Sequence, residues 1–267
     1  MLVTDGTWGV LDRARIDTLP FVRHVEYRAV MTSTNDVALQ RAADPSLLVP
    51  ALVLAAEQTA GRGRGSNRWW SAPGALTFSL VLEPARVDLA SDHWPRLSLT
   101  TAMAVCDALT GLAPAADWGA KWPNDVVVNG CKVCGILVEV PNHGARAGRR
   151  VVVGVGLNVN NSRDGAPDSL RGVVTALCDV AGRQFDLTDV LARLLAAFAV
   201  RLDQLVGGDP RLQRAWTVRC VLRGRYVRID HGALSVEGEC QGIDDNGALV
   251  VNTATGTQHI HGGVVVG

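Results

Sequence analysis

The chain has 267 residues and is 48% apolar, enough for one large domain with a small one and too apolar for wholesale disorder. Its 26 Lys plus Arg balance 26 Asp plus Glu, which excludes bulk attraction to nucleic acid or an anionic membrane and leaves room for a local basic patch. The start, MLVTDGTWG, lacks a basic stretch followed by an apolar run, and the apolar segment 191–200 contains Arg193 and is too short to cross a bilayer, so a cytoplasmic protein is expected.

Residues 1–20 read as a strand or a loose lead-in. Residues 21–30 look strand-like, and Thr32, Ser33, Thr34, Asn35 and Asp36 then precede Val37, Ala38 and Leu39 as a capped helix start. The apolar run 51–56 predicts a buried strand that leads into a Gly/Arg-rich loop at 61–66. A strand is expected over 75–82 and a helix over 97–109. Asn129-Gly130 between two valine-rich runs, 126–128 and 133–140, predicts a tight hairpin. A further strand is expected over 149–160, and apolar spacing predicts a helix over 187–205. After Trp216, short apolar runs alternate with Arg223-Gly224, His231-Gly232, Asn246-Gly247 and Thr255-Gly256, the texture of a small β-barrel. The pattern as a whole is α+β, with domains at 1–217 and 218–267.

The six cysteines, at 106, 131, 134, 178, 220 and 240, form no disulfide framework. Cys131 and Cys134 make one CxxC pair, readable as a metal or redox pair or as small buried thiols. No second ligand pair accompanies it, and residues three apart on a strand face opposite sides, so buried thiols are favoured. The cations are less ordinary, with 24 arginines and only two lysines, Lys121 and Lys132, both within one twelve-residue window. Surface salt links tolerate Arg for Lys, whereas a site needing a compact ammonium does not, so this window is a candidate site.

Three segments carry the chemistry. The first is Gly61-Arg62-Gly63-Arg64-Gly65-Ser66-Asn67-Arg68-Trp69-Trp70. Its glycines let backbone N–H groups approach a ligand, its arginines bind phosphate or carboxylate oxygens, and its tryptophans can stack on a ring. A solvated loop and an RNA-binding RGG segment compete with the favoured reading, a loop that orders over an anionic ligand such as ATP. The second runs from Lys121-Trp122-Pro123-Asn124-Asp125 through the hairpin to Lys132 and Gly135-Ile136-Leu137. A lysine on a rigid hairpin strand can hold positive charge where negative charge accumulates, while Asp125 is either a functional carboxylate or a turn cap. The third is Gly154-Val155-Gly156-Leu157-Asn158, too short for a dinucleotide fingerprint. On a strand, Gly154 and Gly156 share a face, giving either a flat floor for a ring system or close packing beneath a helix.

Together these segments resemble the catalytic domain of the bacterial biotin protein ligases, the biotin–[acetyl-CoA-carboxylase] ligases. The family's Ser-Thr-Asn, Gln before GRGR, KWPND, KxxGIL and GxGxN motifs occur here in order, as Ser33 to Asn35, Gln58 with Gly61 to Arg64, Lys121 to Asp125, Lys132 to Leu137 and Gly154 to Asn158. The resemblance spans roughly residues 25–265 and implies a class II synthetase-like mixed sheet with helices, followed by an SH3-like β-barrel. It implies activation of biotin by ATP with Mg²⁺, and transfer to a lysine of the biotin carboxyl carrier protein or domain of an acyl-CoA carboxylase. Ser33, Thr34, Asn35, Gln58, Arg62, Gly63, Arg64 and Lys132 match the biotin and adenylate contacts, with Gly154 and Gly156 as the floor. ATP and adenylate would be met by Arg62, Arg64, Arg68, Trp70, Asn124, Lys132 and Asn158. Lys132, Arg64 and Asp125 are the candidate catalytic groups, and Mg²⁺ is expected mainly through the ATP phosphates.

The family loop reads GRGRxxRxW. Counting to Trp69 puts Asn67 at the arginine position, and counting to Trp70 puts Arg68 there. Repressor-type members carry an N-terminal DNA-binding domain, which does not fit in the residues before Ser33, so a monofunctional ligase, monomer or homodimer, without DNA or membrane binding is expected. A lipoate ligase and a non-catalytic biotin- or nucleotide-responsive regulator are the alternatives. The 61–70 loop, rich in glycine and charge, is expected to be mobile without ligand.

Overall fold

A computed structural model describes residues 11–141, 150–232 and 234–266. Its centre is a seven-stranded mixed sheet built from β1 (His24–Met31), β2 (Ala51–Gln58), β3 (Ala75–Leu82), β4 (Gly119–Lys121), β5 (Asp125–Val128), β6 (Cys131–Glu139) and β7 (Val151–Asn158). Their order across the sheet is β1-β2-β3-β7-β6-β5-β4, with β1 parallel to β2 and every other pairing antiparallel. The predicted 149–160 strand is β7 over Val151–Asn158, and Arg149 lies outside the described residues. The lead-in contains a four-residue helix, α1 (Arg13–Ile16), held by the Asp12 cap, and residues 1–10 lie outside the described set.

Strand alternation assigns the two faces. Leu52 and Leu54, Leu76, Phe78, Leu80 and Leu82, and Val151, Val153, Val155 and Leu157 all join one hydrophobic cluster. Helices α3 (Leu97–Leu112) and α6 (Leu187–Val206) cover this face. Leu191, Leu194, Leu195, Phe198, Leu202 and Leu205 form the buried stripe of α6 that its spacing predicts, behind an Asp186 cap. On the opposite face Ala51, Val53, Ala55, Val81 and Val152 pack with Ala38 of helix α2 (Thr34–Arg41) and with Ala42 at its C-cap. The rest of that face, on β6, β5 and β4, is not covered by α2 and walls the cavity described below.

Asn129 and Gly130 both have positive φ, 52° and 78°, as a primed two-residue turn requires. The hairpin they close is β5–β6, with a register irregularity between Val126 and Val127. Short helices α4 (Asp168–Arg171) and α5 (Leu177–Ala181) follow β7, and α7 (Pro210–Arg219) follows α6. The remaining strands, β8 (Tyr226–His231), β9 (Leu234–Ile243), β10 (Leu249–Thr253), β11 (Gly256–Ile260) and β12 (Val264–Val266), make an antiparallel five-stranded sheet in the order β11-β10-β9-β8-β12. This is the small β unit that the turn spacing predicts.

Candidate active site

A cavity of about 540 Å³ opens on the face of the large sheet not covered by α3 and α6. Its walls come from five places in the sequence: the α2 N-terminus, the end of β2 with residues 62–69, the β4–β5–β6 edge, the middle of β7, and Gly263 to Val265. Ser33, Thr34, Asn35, Gln58, Arg62, Gly63, Arg64, Arg68, Asn124, Asp125, Lys132, Gly154 and Gly156 all line it, so the structure brings together most of the residues picked from the sequence.

At one end Gln58 Oε1 accepts from the Thr34 amide at 2.7 Å and lies 3.2 Å from its hydroxyl. Ser33 stands at the N-cap of α2, yet its side chain makes no capping bond, which leaves its buried hydroxyl for another partner. Asn35 differs from expectation. Its amide donates to Glu139 Oε2 at 2.8 Å and the Leu137 carbonyl at 3.3 Å, and its Oδ1 accepts from Ser79 at 2.6 Å. It lies directly on Gly154, where an added Cβ would be 2.0 Å from Asn35 Oδ1. Gly154 is therefore room for the protein's own amide, and Asn35 ties α2 to the sheet.

Gly156 plays the matching part for Trp69. Gly156 pairs with Gly135 across β7–β6, and Cβ atoms there would lie 2.3 Å and 3.2 Å from the Trp69 indole. The flat glycine floor thus carries an indole, whose buried Nε1 has no hydrogen-bond partner. Of the two tryptophans, Trp70 was expected at the adenylate, but Trp69 lines the cavity and Trp70 lies outside its wall. The reason is a small hairpin. The Gly63 amide donates to the Asn67 carbonyl at 2.8 Å, the Trp69 amide donates to the Gly61 carbonyl at 2.9 Å, and Arg62 pairs with Arg68. Neighbouring tryptophans on that short ladder point opposite ways. Residues 61–69 form this hairpin over the sheet, with Gly65 in the left-handed region at its tip. Asn67 and Arg68 both line the cavity.

Asn158 is also corrected. It follows the parity of Gly154 and Gly156 but lies beyond the cavity wall, fully buried, with Nδ2 donating to the Thr175 carbonyl and Oδ1 accepting from Asn161. Its effect on the site is indirect. The segment it holds pairs with Lys132: the Lys132 amide donates to the Val173 carbonyl and the Thr175 amide to the Lys132 carbonyl. Asn124 acts similarly, clamping β6 through two bonds with Ile136 at 2.9 Å.

Charge completes the picture. Lys132 Nζ is 2.7 Å from Asp125 Oδ1 and 5.8 Å from the centre of the Trp69 ring. Arg62 does not point into the cavity's free space. It binds Glu139 and Asp36, both at 2.7 Å, and these carboxylates raise its already high pKa. Arg64 donates to the Gly263 carbonyl, so the hairpin touches the small sheet. Among the described residues five cations, Arg62, Arg64, Arg68, Lys121 and Lys132, line the cavity against one carboxylate, Asp125. Such a cleft favours an anionic ligand. The CxxC thiols play no part in this wall: Cys134 is buried in the core, where desolvation pushes its pKa up, and among the described residues no group of three or more His, Cys, Asp or Glu stands ready for a metal.

The mixed sheet, glycine floor and cationic rim define a site for an anionic, partly flat ligand, and comparison with known proteins gives the class. Residues 27–158 match the biotin/lipoate A/B protein ligase family, and residues 224–266 match the biotin protein ligase C-terminal domain. The chain is 33% identical over 241 residues to the bifunctional ligase/repressor BirA of Bacillus subtilis, covering 90% of this chain and 72% of the relative. It is 34% identical to the biotin–[acetyl-CoA-carboxylase] ligase of Mycobacterium tuberculosis, covering 91% and 89%. The chain belongs to the biotin/lipoate protein ligase family, on its biotin protein ligase side. The biotin protein ligase of Aquifex aeolicus, solved with biotin and ATP, shares the fold with a TM-score of 0.74 at 24% identity, covering 91% of this chain and 98% of that one.

Proposed function

We propose that this chain activates biotin with ATP to biotinoyl-5'-AMP and passes the biotinoyl group to a lysine on the biotin carrier domain of an acyl-CoA carboxylase. The observation that carries the reading is one cavity with uncharged polar groups at one end and cations beyond them. The M. tuberculosis and Paracoccus denitrificans relatives are named as biotin–[acetyl-CoA-carboxylase] ligases, which favours biotin over lipoate and catalysis over passive binding.

The chemistry follows from the geometry. A ureido ring needs a few fixed donors and acceptors in an apolar setting. The Ser33 hydroxyl and the Gln58 amide nitrogen supply them, since Gln58 Oε1 is already held by Thr34. The biotin carboxylate must attack the α-phosphorus of ATP, and the two anions repel. The Lys132 ammonium, fixed by Asp125 and by the backbone pairing of residues 173–175, lies between them. Arg64 and Arg68 hold phosphate oxygens, and Arg64 exchanges the Gly263 carbonyl for that role. Arg62 shapes the hairpin from outside through Glu139 and Asp36. In the second step the carrier amine attacks the mixed anhydride, AMP leaves, and Asp125 takes the amine's proton. Mg²⁺ would be held mainly by the ATP phosphates, with Asp125 the one carboxylate lining the cavity among the described residues, and would supply charge neutralisation there. No helix among the described residues is long and apolar enough to cross a membrane. The deciding experiment is biotin-dependent ATP–pyrophosphate exchange, run beside lipoate as a control. Exchange with biotin alone supports the reading, and exchange with lipoate alone, or with neither, rejects it.

A further inference from the structure

Lys121 has no part in the reaction as set out above, although it is one of only two lysines in a chain with 24 arginines and both lysines line the same cavity. We propose that Lys121 is the leaving-group cation, binding the β,γ end of the triphosphate and stabilising pyrophosphate as it departs. This rests on the biotin-activating reading of the site.

The sheet register places it. Lys121 pairs with Asp125, Asp125 with Gly135, and Gly135 with Gly156, so the four form one row across β4, β5, β6 and β7. Ala120 and Trp122 join the core on the other face, which turns Lys121 to the cavity. The Lys132 side chain lies over the Gly135 position in that row, with Cε and Nζ 3.1 Å from where a Cβ would stand. Lys121 is therefore rooted two strands, about 10 Å, beyond the point over which Lys132 sits. The polar groups offered to the ureido ring, Ser33 and Gln58, lie at the opposite end, on the α2 and β2 side.

Displacement at phosphorus is in line. The carboxylate oxygen forms its bond to the α-phosphorus on one side, and the bond to the bridging β-oxygen breaks on the other, its electron pair leaving on pyrophosphate. With the carboxylate arriving from the ureido end past Lys132, the pyrophosphate points toward β4. A cation is needed there, and Lys121 is the cation the sheet supplies. Its charge is also available. Lys132 is paired with Asp125 and Arg62 with Asp36 and Glu139, whereas Lys121 has no carboxylate partner among the described residues. A compact ammonium suits a group that must be released, because it lacks the two-pronged grip of a guanidinium.

The test uses the full chain and separates the half-reactions. In Lys121→Met, biotin-dependent ATP–pyrophosphate exchange should fall about 100-fold, the range for loss of one preorganised charge-stabilising group. Transfer from preformed biotinoyl adenylate to a biotin carrier domain should stay within about twofold, because that step contains no pyrophosphate. Affinity for a sulfamoyl analogue of biotinoyl adenylate, which also lacks the β,γ end, should not change. Lys121→Gln keeps a polar tip in this half-buried place and carries the same test if methionine disturbs folding. Near-normal exchange in these variants, or an equal fall in both half-reactions, overturns the assignment. A wild-type chain without biotin-dependent exchange would instead reject the functional reading on which it rests.

Discussion

Gly154→Ala tests whether that glycine exists to admit Asn35. The new Cβ would lie 2.0 Å from Asn35 Oδ1, about 1.4 Å short of an ordinary 3.4 Å contact. Asn35 has nowhere easy to go. Its amide is held by Ser79, Leu137 and Glu139, and the residue is 4% exposed. Expelling it breaks three largely buried hydrogen bonds at about 1 kcal/mol each, or roughly 3 kcal/mol in all. For a chain of this size that lowers the melting temperature by about 6–12 °C. Asn35 also lies in the first turn of α2 beside Ser33 and Thr34, so the ureido end of the cavity is distorted too. Loss of one good hydrogen bond to biotin raises its KM by about tenfold. Calorimetry and steady-state kinetics with varied biotin measure both. A variant melting within about 2 °C of the parent, with an unchanged biotin KM, would refute this account of Gly154.

The other predictions concern the hairpin and its lysine. In Gly156→Ala the new Cβ meets the Trp69 ring first, at 2.3 Å, so stability should fall by about 1–3 kcal/mol while adenylate formation falls about tenfold or more as the indole is displaced; normal adenylate formation in a destabilised variant would count against a role for Trp69 in shaping the site. Lys132→Ala should remove adenylate formation with the fold retained, and Lys132→Arg should also be poor because Asp125 and the indole leave room for a compact ammonium; near-normal pyrophosphate release by the arginine variant contradicts that role. Arg64→Gly should let the adenylate escape and label bystander lysines, read on streptavidin blots with an unrelated lysine-rich protein. Weaker labelling of carrier and bystander alike would instead make Arg64 an ATP-binding group only.

What the sequence disclosed was local. The Asn129-Gly130 turn and the stripe of α6 are set by residues a few positions apart, and both stand where their patterns place them. The cavity's membership was legible because its motifs are contiguous. Orientation was not. Trp69 rather than Trp70 enters because hairpin pairing around Gly61 and Gly63 fixes parity, and nothing in the two-tryptophan string expresses that. Arg62 turns to Asp36 and Glu139, which lie 26 and 77 residues away and meet only once α2 and β6 are side by side. Asn158 looks like a ligand residue by parity, yet the chain folds back beyond β7 and takes up its amide. Strand order was equally hidden, since β7 inserts between β3 and β6 through pairings that no local pattern encodes.

The small sheet has one more consequence. Its Val227, Ile229, Cys240, Leu249 and Val251 belong to the same hydrophobic cluster as Leu97, Leu99, Trp118 and Trp122 of the large domain. The Trp122 indole donates to the Gly247 carbonyl, and the Val221 amide continues the edge of β4 through Ala120. Such a shared interior makes the two sheets one cooperative unit, with a single unfolding transition rather than two. Gly263 to Val265 are then as rigidly placed as the strands opposite them. The last fifty residues thus supply one jaw of the cavity, facing the glycine-rich hairpin that touches it through Arg64.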